Sequence, residues 1–391
     1  MDTPDILFLT LRTFSATGGI EKVCRLAAMA MQEEAIRRVK MMMVYSAYDN
    51  TSDVDERYIP GSYVKGFGGS RKVFAWQSIR TGVKAKLVVL SHINLLPVGY
   101  TIKKLSPTTK LVLIAHGIEV WDALLPWKRL MLKACDRVLP VSRFTSEKLL
   151  HHGLDSKKLQ VVNNAIDPFL PLQADRSQIE SLRSKYGFAA NQKIILTLTR
   201  LEEKERPKGY DNVLLALKHL KEDMPGLRYL LVGKYTTGEK TRLDALVKAS
   251  GLESEVIMPG YISDEEIAAH FALADVFIMP SQKEGFGIVF IEALYYGLPV
   301  IAGNKDGSVD ALAGGKFGHL VDPDSPEEIR LALQQCMEKK TSLIPAQGEV
   351  LAQFGFPVYK KRLWTALDSL FQDAQGQKRQ SQKRASSVTK A

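Results

Sequence analysis

Val276-Phe-Ile-Met279-Pro280-Ser-Gln-Lys-Glu284-Gly285-Phe286-Gly287-Ile-Val-Phe-Ile-Glu292-Ala-Leu294 reads as an apolar strand, a turn holding two glycines, and an apolar helix. The β-branched and aromatic run Val276 to Met279 stops at a proline, and a helix begins at about Gly287. A strand that turns directly into a helix is half of a βαβ unit and predicts a parallel sheet covered by helices. Glycines let backbone N–H groups approach a ligand closely, and a helix N-terminus attracts anions, so the turn reads as a phosphate or sugar cradle. Glu284 precedes the helix and Glu292 lies within it, so the two carboxylates reach different parts of one ligand.

The same alternation extends outward from this stretch. Apolar runs at Ile194 to Thr199, Tyr229 to Val232, Val256 to Met258 and Pro299 to Ala302 complete one repeat. Another lies ahead of it, with Ile6 to Thr10, a helical pattern over Ile20 to Glu34, then Lys40 to Tyr45, Leu87 to Ser91, Leu111 to Ala115, Arg137 to Val141 and Gln160 to Val162. A polar, proline-containing segment from Asp167 to Ala174 separates them. The predicted fold class is α/β, with two doubly wound Rossmann-like domains, 1–167 and 168–354, facing a central cleft. Residues 355–375 carry Tyr359, Leu363, Leu367 and Leu370 at helical spacing, and this helix is expected to pack back on the first domain. Residues 376–391 are polar and basic and are expected to be disordered.

With 391 residues, 45% apolar and 25% charged, the chain is neither fibrous nor disordered and suits two domains. Its longest nearly apolar stretch, Ile288 to Gly303, is interrupted by Glu292 and Pro299, so no membrane span is expected. The first residues lack the basic region and cleavage site of an export signal, and Cys24, Cys135 and Cys336 sit in apolar-periodic contexts. Both points predict a cytoplasmic protein with buried thiols and no disulfide or metal framework. The net charge of +10 divides into +9 over residues 1–167, −5 over 168–349 and +6 over 350–391. A basic first half points to an anionic partner met by that half.

Known phosphate-binding signatures of other enzyme classes are missing, with no Gly-x4-Gly-Lys-Ser/Thr and no Gly-x-Gly-x-x-Gly at the first strand. Asp53-Val-Asp55 and Asp322-Pro-Asp324 imitate a metal-diphosphate motif. The first lies in a polar loop and the second reads as a turn before a helix cap, so no metal is expected.

Glu284-Gly-Phe-Gly with Glu292 resembles the paired-glutamate signature of retaining GT-B glycosyltransferases, specifically glycosyltransferase family four. The resemblance extends to Thr17-Gly18-Gly19-Ile20-Glu21 after the first strand and to Leu198-Thr199-Arg200-Leu201 with Lys208-Gly209. It also takes in His116 just after the Leu111 to Ala115 run, Val141-Ser142-Arg143 and Val162-Asn163-Asn164-Ala165-Ile166-Asp167. It implies transfer of a sugar from a UDP- or GDP-linked nucleotide-diphosphate-sugar, without metal, to a glycan or lipid-linked hydroxyl acceptor in polysaccharide or glycolipid assembly. Under it His116, Glu284, Arg200 and Lys208 are catalytic. Gly18, Gly19, Gly285, Phe286, Gly287 and Glu292 hold the donor, with Glu284 on sugar hydroxyls and Glu292 on the ribose. Glu119 and Asp122 are acceptor-side groups, and His92 is a weaker counterpart of His116.

Two departures from the family pattern matter. A charged insert, Glu202 to Arg206, leaves Lys204 competing with Lys208 for the cleft, and Asp310 stands where the family has a glutamate. The expected setting is the cytoplasm, with peripheral association at an anionic membrane surface and no nucleic-acid partner. Two other functions share the architecture, a sugar-nucleotide 2-epimerase and a non-catalytic sugar-nucleotide binder.

Overall fold

The computed structural model describes residues 3–338 and 344–371. The chain divides into two units, one running to Asp167 and resuming at Phe356, the other spanning Pro168–Gly355. Strands β1 (Ile6–Thr10), β2 (Met42–Ser46), β3 (Val64–Gly66), β4 (Leu87–Leu90), β5 (Lys110–Ala115) and β6 (Arg137–Pro140) form the first sheet. Strands β7 (Lys193–Leu198), β8 (Leu227–Val232), β9 (Val256–Gly260), β10 (Val276–Met279), β11 (Val300–Gly303) and β12 (His319–Val321) form the second.

Both sheets are parallel and share one topology, with orders β3-β2-β1-β4-β5-β6 and β12-β11-β10-β7-β8-β9. Strands β1, β4, β10 and β11 are buried along their whole length. Strands packed by helices on both faces need continuous apolar runs rather than alternation, which is why the sequence pattern was readable. In each sheet the strand order reverses between the first and fourth strands, with Ile6 opposite both Met42 and Leu87 and Val276 opposite Ile195. Ligands of such sheets bind outside the strand C-termini at that reversal.

The structure departs from the sequence expectation at the sheet edges. Gln160 to Val162 form no strand; the Gln160 and Val162 N–H groups donate to the Val138 and Pro140 carbonyls beside β6. β3 and β12 were not anticipated, because three-residue edge strands paired on one side carry too little apolar periodicity.

Helix 356–371 packs within the first unit against helix Gly19–Arg37. Trp364 Nε1 donates to the Ala30 carbonyl at 3.0 Å, Lys360 pairs with Glu33 at 2.6 Å, and Arg38 stacks over Trp364 while pairing with Asp368. The predicted tail, 376–391, lies outside the described residues. Among the described residues no helix is long and apolar enough to cross a membrane.

Candidate functional site

In the second unit the loops after β7 and β10 meet at the sheet's reversal. Lys208, last residue of the short helix Glu203–Lys208, places Nζ 2.5 Å from Glu284 Oε2. Burial lowers the affinity of Lys208 for its proton, but the charge and hydrogen bond of Glu284, with Glu205 and Asp306 behind it, prevail and hold its pKa above the ordinary lysine range. The charged insert does not displace Lys208. Arg206 is anchored to Glu239 at 2.9 Å, and Glu239 also binds Arg242 and the Tyr210 hydroxyl. Burial acts to raise the Glu239 pKa, yet these donors hold it down to about 2. Lys204 is left exposed. Arg200 is also exposed, and among the described residues its guanidinium has no hydrogen bond or ion pair.

The turn carrying Glu284 is clamped from the next loop. Asp306 Oδ2 accepts the Glu284 N–H at 2.7 Å, its Oδ1 accepts the Ser308 N–H at 2.9 Å, and the Gly307 N–H donates to the Glu284 carbonyl at 2.8 Å. Burial pushes Asp306 up to about 6, Glu284 adding to the rise and the N–H groups of Ser308 and Glu284 opposing it. Asp306 thus clamps this turn, and Asp310 is buried on the short helix Ser308–Ala311 that follows. Sequence reading missed Asp306, although an Asp before Gly-Ser is a recognisable turn-forming signal.

Gly287 has φ +83°, and a Cβ there would meet the Phe290 ring at 2.3 Å. Backbone geometry thus forces glycine at the start of helix Ile288–Tyr295, which carries Glu292 buried inside it. Phe286 corrects the sequence expectation, since its side chain is 1% exposed and packs edge-on against Phe354 at 5.8 Å. That ring belongs to the core and only its backbone can face a ligand. A Cβ on Gly307 would lie 2.0 Å from the Gly285 carbonyl oxygen, a backbone contact that no rotamer relieves. Gly307→Ala is expected to destabilise the second unit by about 1–3 kcal/mol. Its thermal midpoint should fall by about 2–4 °C for each kcal/mol lost; an unchanged midpoint would refute this packing.

In the first unit, the loop between β1 and helix Gly19–Arg37 is held by Asp49, which is 0% exposed. Its carboxylate accepts the N–H groups of Thr13, Phe14 and Ser15 at 2.7, 3.2 and 3.0 Å and the hydroxyls of Ser15 and Ser46 at 2.5 and 2.7 Å. Arg25 grips the same loop from the helix, donating to the Thr13 carbonyl at 3.0 Å. Gly18 then caps the helix with extended backbone and no side-chain hydrogen bond. A Cβ on Gly19 would meet nothing within 4 Å, so the fold itself does not require glycine there.

His116 follows β5, buried, with Nε2 donating to the Ser91 carbonyl at 2.7 Å and Nδ1 without a partner among the described residues. Burial lowers its pKa to about 4, so the ring is neutral at physiological pH and offers Nδ1 as an acceptor. Glu119 is engaged in the same turn, accepting the His116 N–H at 2.6 Å. Asp122 is exposed. His92, after β4, accepts the Asn94 N–H on Nδ1 at 3.1 Å. Among the described residues no group of three or more His, Cys, Asp or Glu side chains is arranged to hold a metal ion.

Residues 178–347 match the family model for glycosyl transferases group 1, and residues 17–169 match that for glycosyltransferase family 4. One similar protein is the GDP-mannose-dependent alpha-(1-6)-phosphatidylinositol monomannoside mannosyltransferase of Mycobacterium tuberculosis. It is 30% identical over 247 residues, 60% of this chain and 62% of that protein. Another is the D-inositol 3-phosphate glycosyltransferase of Rhodococcus opacus, 28% identical over 55% of this chain and 48% of its own length. The chain thus aligns with less than two thirds of these relatives. Among solved structures, Anabaena Alr3699/HepE in complex with UDP superposes with a TM-score of 0.77 at 21% identity, covering 93% of this chain and 99% of that one. That likeness establishes the GT-B fold.

Proposed function

Because the chain belongs to the group 1 glycosyl transferases, with a family 4 first half, we propose that it is a retaining glycosyltransferase. It moves a sugar from a nucleotide-diphosphate-sugar to a hydroxyl acceptor in polysaccharide or glycolipid assembly. The observation that carries this reading is the Lys208–Glu284 pair at the reversal point of the second sheet, beside a glycine-initiated helix N-terminus. Lys208 and Arg200 meet the charge developing on the departing diphosphate, a preorganised contribution of the kind that lowers barriers most. Backbone N–H groups near Gly287 add to it. Glu284 accepts hydrogen bonds from donor-sugar hydroxyls and Glu292 from the ribose; in the first unit, neutral His116 offers Nδ1 as an acceptor for a sugar hydroxyl. The diphosphate oxygen takes the acceptor proton. The named relative uses GDP-mannose and the solved neighbour holds UDP, so both bases belong in a donor screen.

An epimerase would draw its acid and base from His116, Glu119 and Asp122. A ring held neutral down to about pH 4 carries no proton to donate from Nδ1 near neutrality, which suits acid–base exchange by His116 poorly. Product analysis with UDP- and GDP-sugars tests the reading. Transfer should need an acceptor, retain anomeric configuration and persist in EDTA, since Lys208 and Arg200 serve where a metal would. Sugar isomerisation without acceptor, or full loss in EDTA with rescue by magnesium, would overturn it.

The acceptor is expected at an anionic membrane surface. Leu125, Trp127 and Leu130 are exposed on or beside helix Pro126–Lys133, which also carries Lys128, Arg129 and Lys133. Basic residues near an anionic leaflet contribute about 1 kcal/mol each, and an apolar face beside them inserts at the interface. Sedimentation with anionic vesicles is expected at low salt and release at high salt, with Trp127→Ala weakening the sedimentation. Equal binding to neutral vesicles would sink the idea.

A further inference from the structure

At the C-terminal ends of β1 and β4, the reversal point of the first sheet, a pocket of about 400 Å³ is lined by Arg12, Glu21, Tyr48, Arg71, Ser91 and His92, among others. Arg12 comes from the loop after β1, Tyr48 from the loop after β2, and Arg71 from the first turn of helix Arg71–Gly82. The guanidinium carbons of Arg12 and Arg71 each lie 5.4 Å from the centroid of the Tyr48 ring. Among the described residues neither guanidinium has a hydrogen bond or ion pair, and neither does the Glu21 carboxylate.

Two cations gathered at one aromatic ring repel each other, and no protein carboxylate is paired with either. An arginine fork is shaped for bidentate recognition of phosphate, and stacking on Tyr48 preorganises both forks. His92 accepts the Asn94 N–H on Nδ1, so its proton sits on Nε2 as a further donor. Glu21 supplies the one anionic acceptor, suited to a hydroxyl. The set of two forks, a neutral imidazole and a carboxylate complements a phosphate ester on a hydroxyl-bearing body.

We infer that this pocket binds the phosphate of a phosphorylated polyol or sugar acceptor, with Arg12 and Arg71 on the phosphate and Glu21 on a neighbouring hydroxyl. The assignment of this ligand as acceptor rests on the transferase reading; the phosphate site itself does not. The same phosphate ester can belong to a soluble sugar phosphate or to a lipid headgroup.

The test uses the full chain with a saturating nucleotide diphosphate, which occupies phosphate sites of the donor, and inorganic phosphate as the probe. Wild type should bind phosphate. Arg12→Gln and Arg71→Gln should each weaken that binding by about tenfold or more, the scale of losing a charge-assisted contact, while nucleotide affinity stays within about twofold. Phosphate binding that is absent in wild type, or unchanged in both variants, would overturn the site. Loss of nucleotide affinity in the variants would also overturn it, by giving the pocket to the donor diphosphate. Competition by glucose 6-phosphate assigns the soluble source, and competition by phosphatidylinositol vesicles but not phosphatidylcholine vesicles assigns the headgroup; either supports the site. If phosphate binding follows the arginines but no sugar is ever transferred, the transferase reading fails and the site stands. If a phosphorylated acceptor is used with the same KM by wild type and both variants, the transferase stands and the site falls.

Discussion

Glu284→Gln is expected to leave the fold intact and to lower kcat/KM for transfer by about a hundredfold or more, the scale of losing one preorganised electrostatic group. The amide keeps the shape of the side chain but accepts weaker hydrogen bonds from sugar hydroxyls. It also removes the charge 2.5 Å from Lys208, whose side chain is only 12% exposed. Lys208 then retains Glu205 at 3.9 Å as a distant partner, and its ammonium is free to shift from the diphosphate position. Lys208→Ala should cost about 2–4 kcal/mol of transition-state stabilisation by the same reasoning. The exposed Lys204 gives the control, since Lys204→Ala should behave as wild type. Steady-state kinetics with circular dichroism decide the matter. Activity of Glu284→Gln within about threefold of wild type would remove Glu284 from the site.

Asp49→Ala should destabilise the first unit by about 2–4 kcal/mol, because it strands the N–H groups of Thr13, Phe14 and Ser15 where one carboxylate satisfied them all. Each donor alone costs about 1–3 kcal/mol when buried and unmet, and the part-buried position of Phe14 and Ser15 lets water offset some of it. The effect has a pH signature. Burial acts to raise the Asp49 pKa, but the hydroxyls of Ser15 and Ser46 and the N–H groups of Ser15 and Phe14 outweigh it and hold the carboxyl below its ordinary value. A depressed folded pKa stabilises fully above the unfolded value of about 3.9 and loses that stability as pH falls through the folded value. The gap between wild type and variant should therefore be constant near neutrality and narrow below about pH 4. Urea unfolding across that range measures it, and a variant as stable as wild type at pH 7 would refute the role of Asp49. The loop leading to Gly18 and Gly19 should loosen as well, so nucleotide affinity is expected to fall with stability.

The architecture was legible in local sequence alone. Apolar runs at β1, β4, β5, β7, β8 and β10 are each read within a few residues, since a strand covered on both faces must be apolar along its whole length. The Glu284-Gly-Phe-Gly turn was equally legible, because a strand end, two glycines and a helix start are local features. Tertiary structure decided what long-range contacts decide. It chose Lys208 over Lys204 by tying Arg206 to Glu239 and bringing Glu284 across 76 residues of chain. It committed Phe286 to the core, gave the clamp on the Glu284 turn to Asp306, and engaged Glu119 in the His116 turn. It placed Asp49 under a loop 36 residues earlier and gathered Arg12, from one loop, and Arg71, from a helix start, at Tyr48 in another loop. Periodicity reports which face of an element is buried, whereas a polar side chain's partner is set by how the sheet order carries distant loops to the same strand ends.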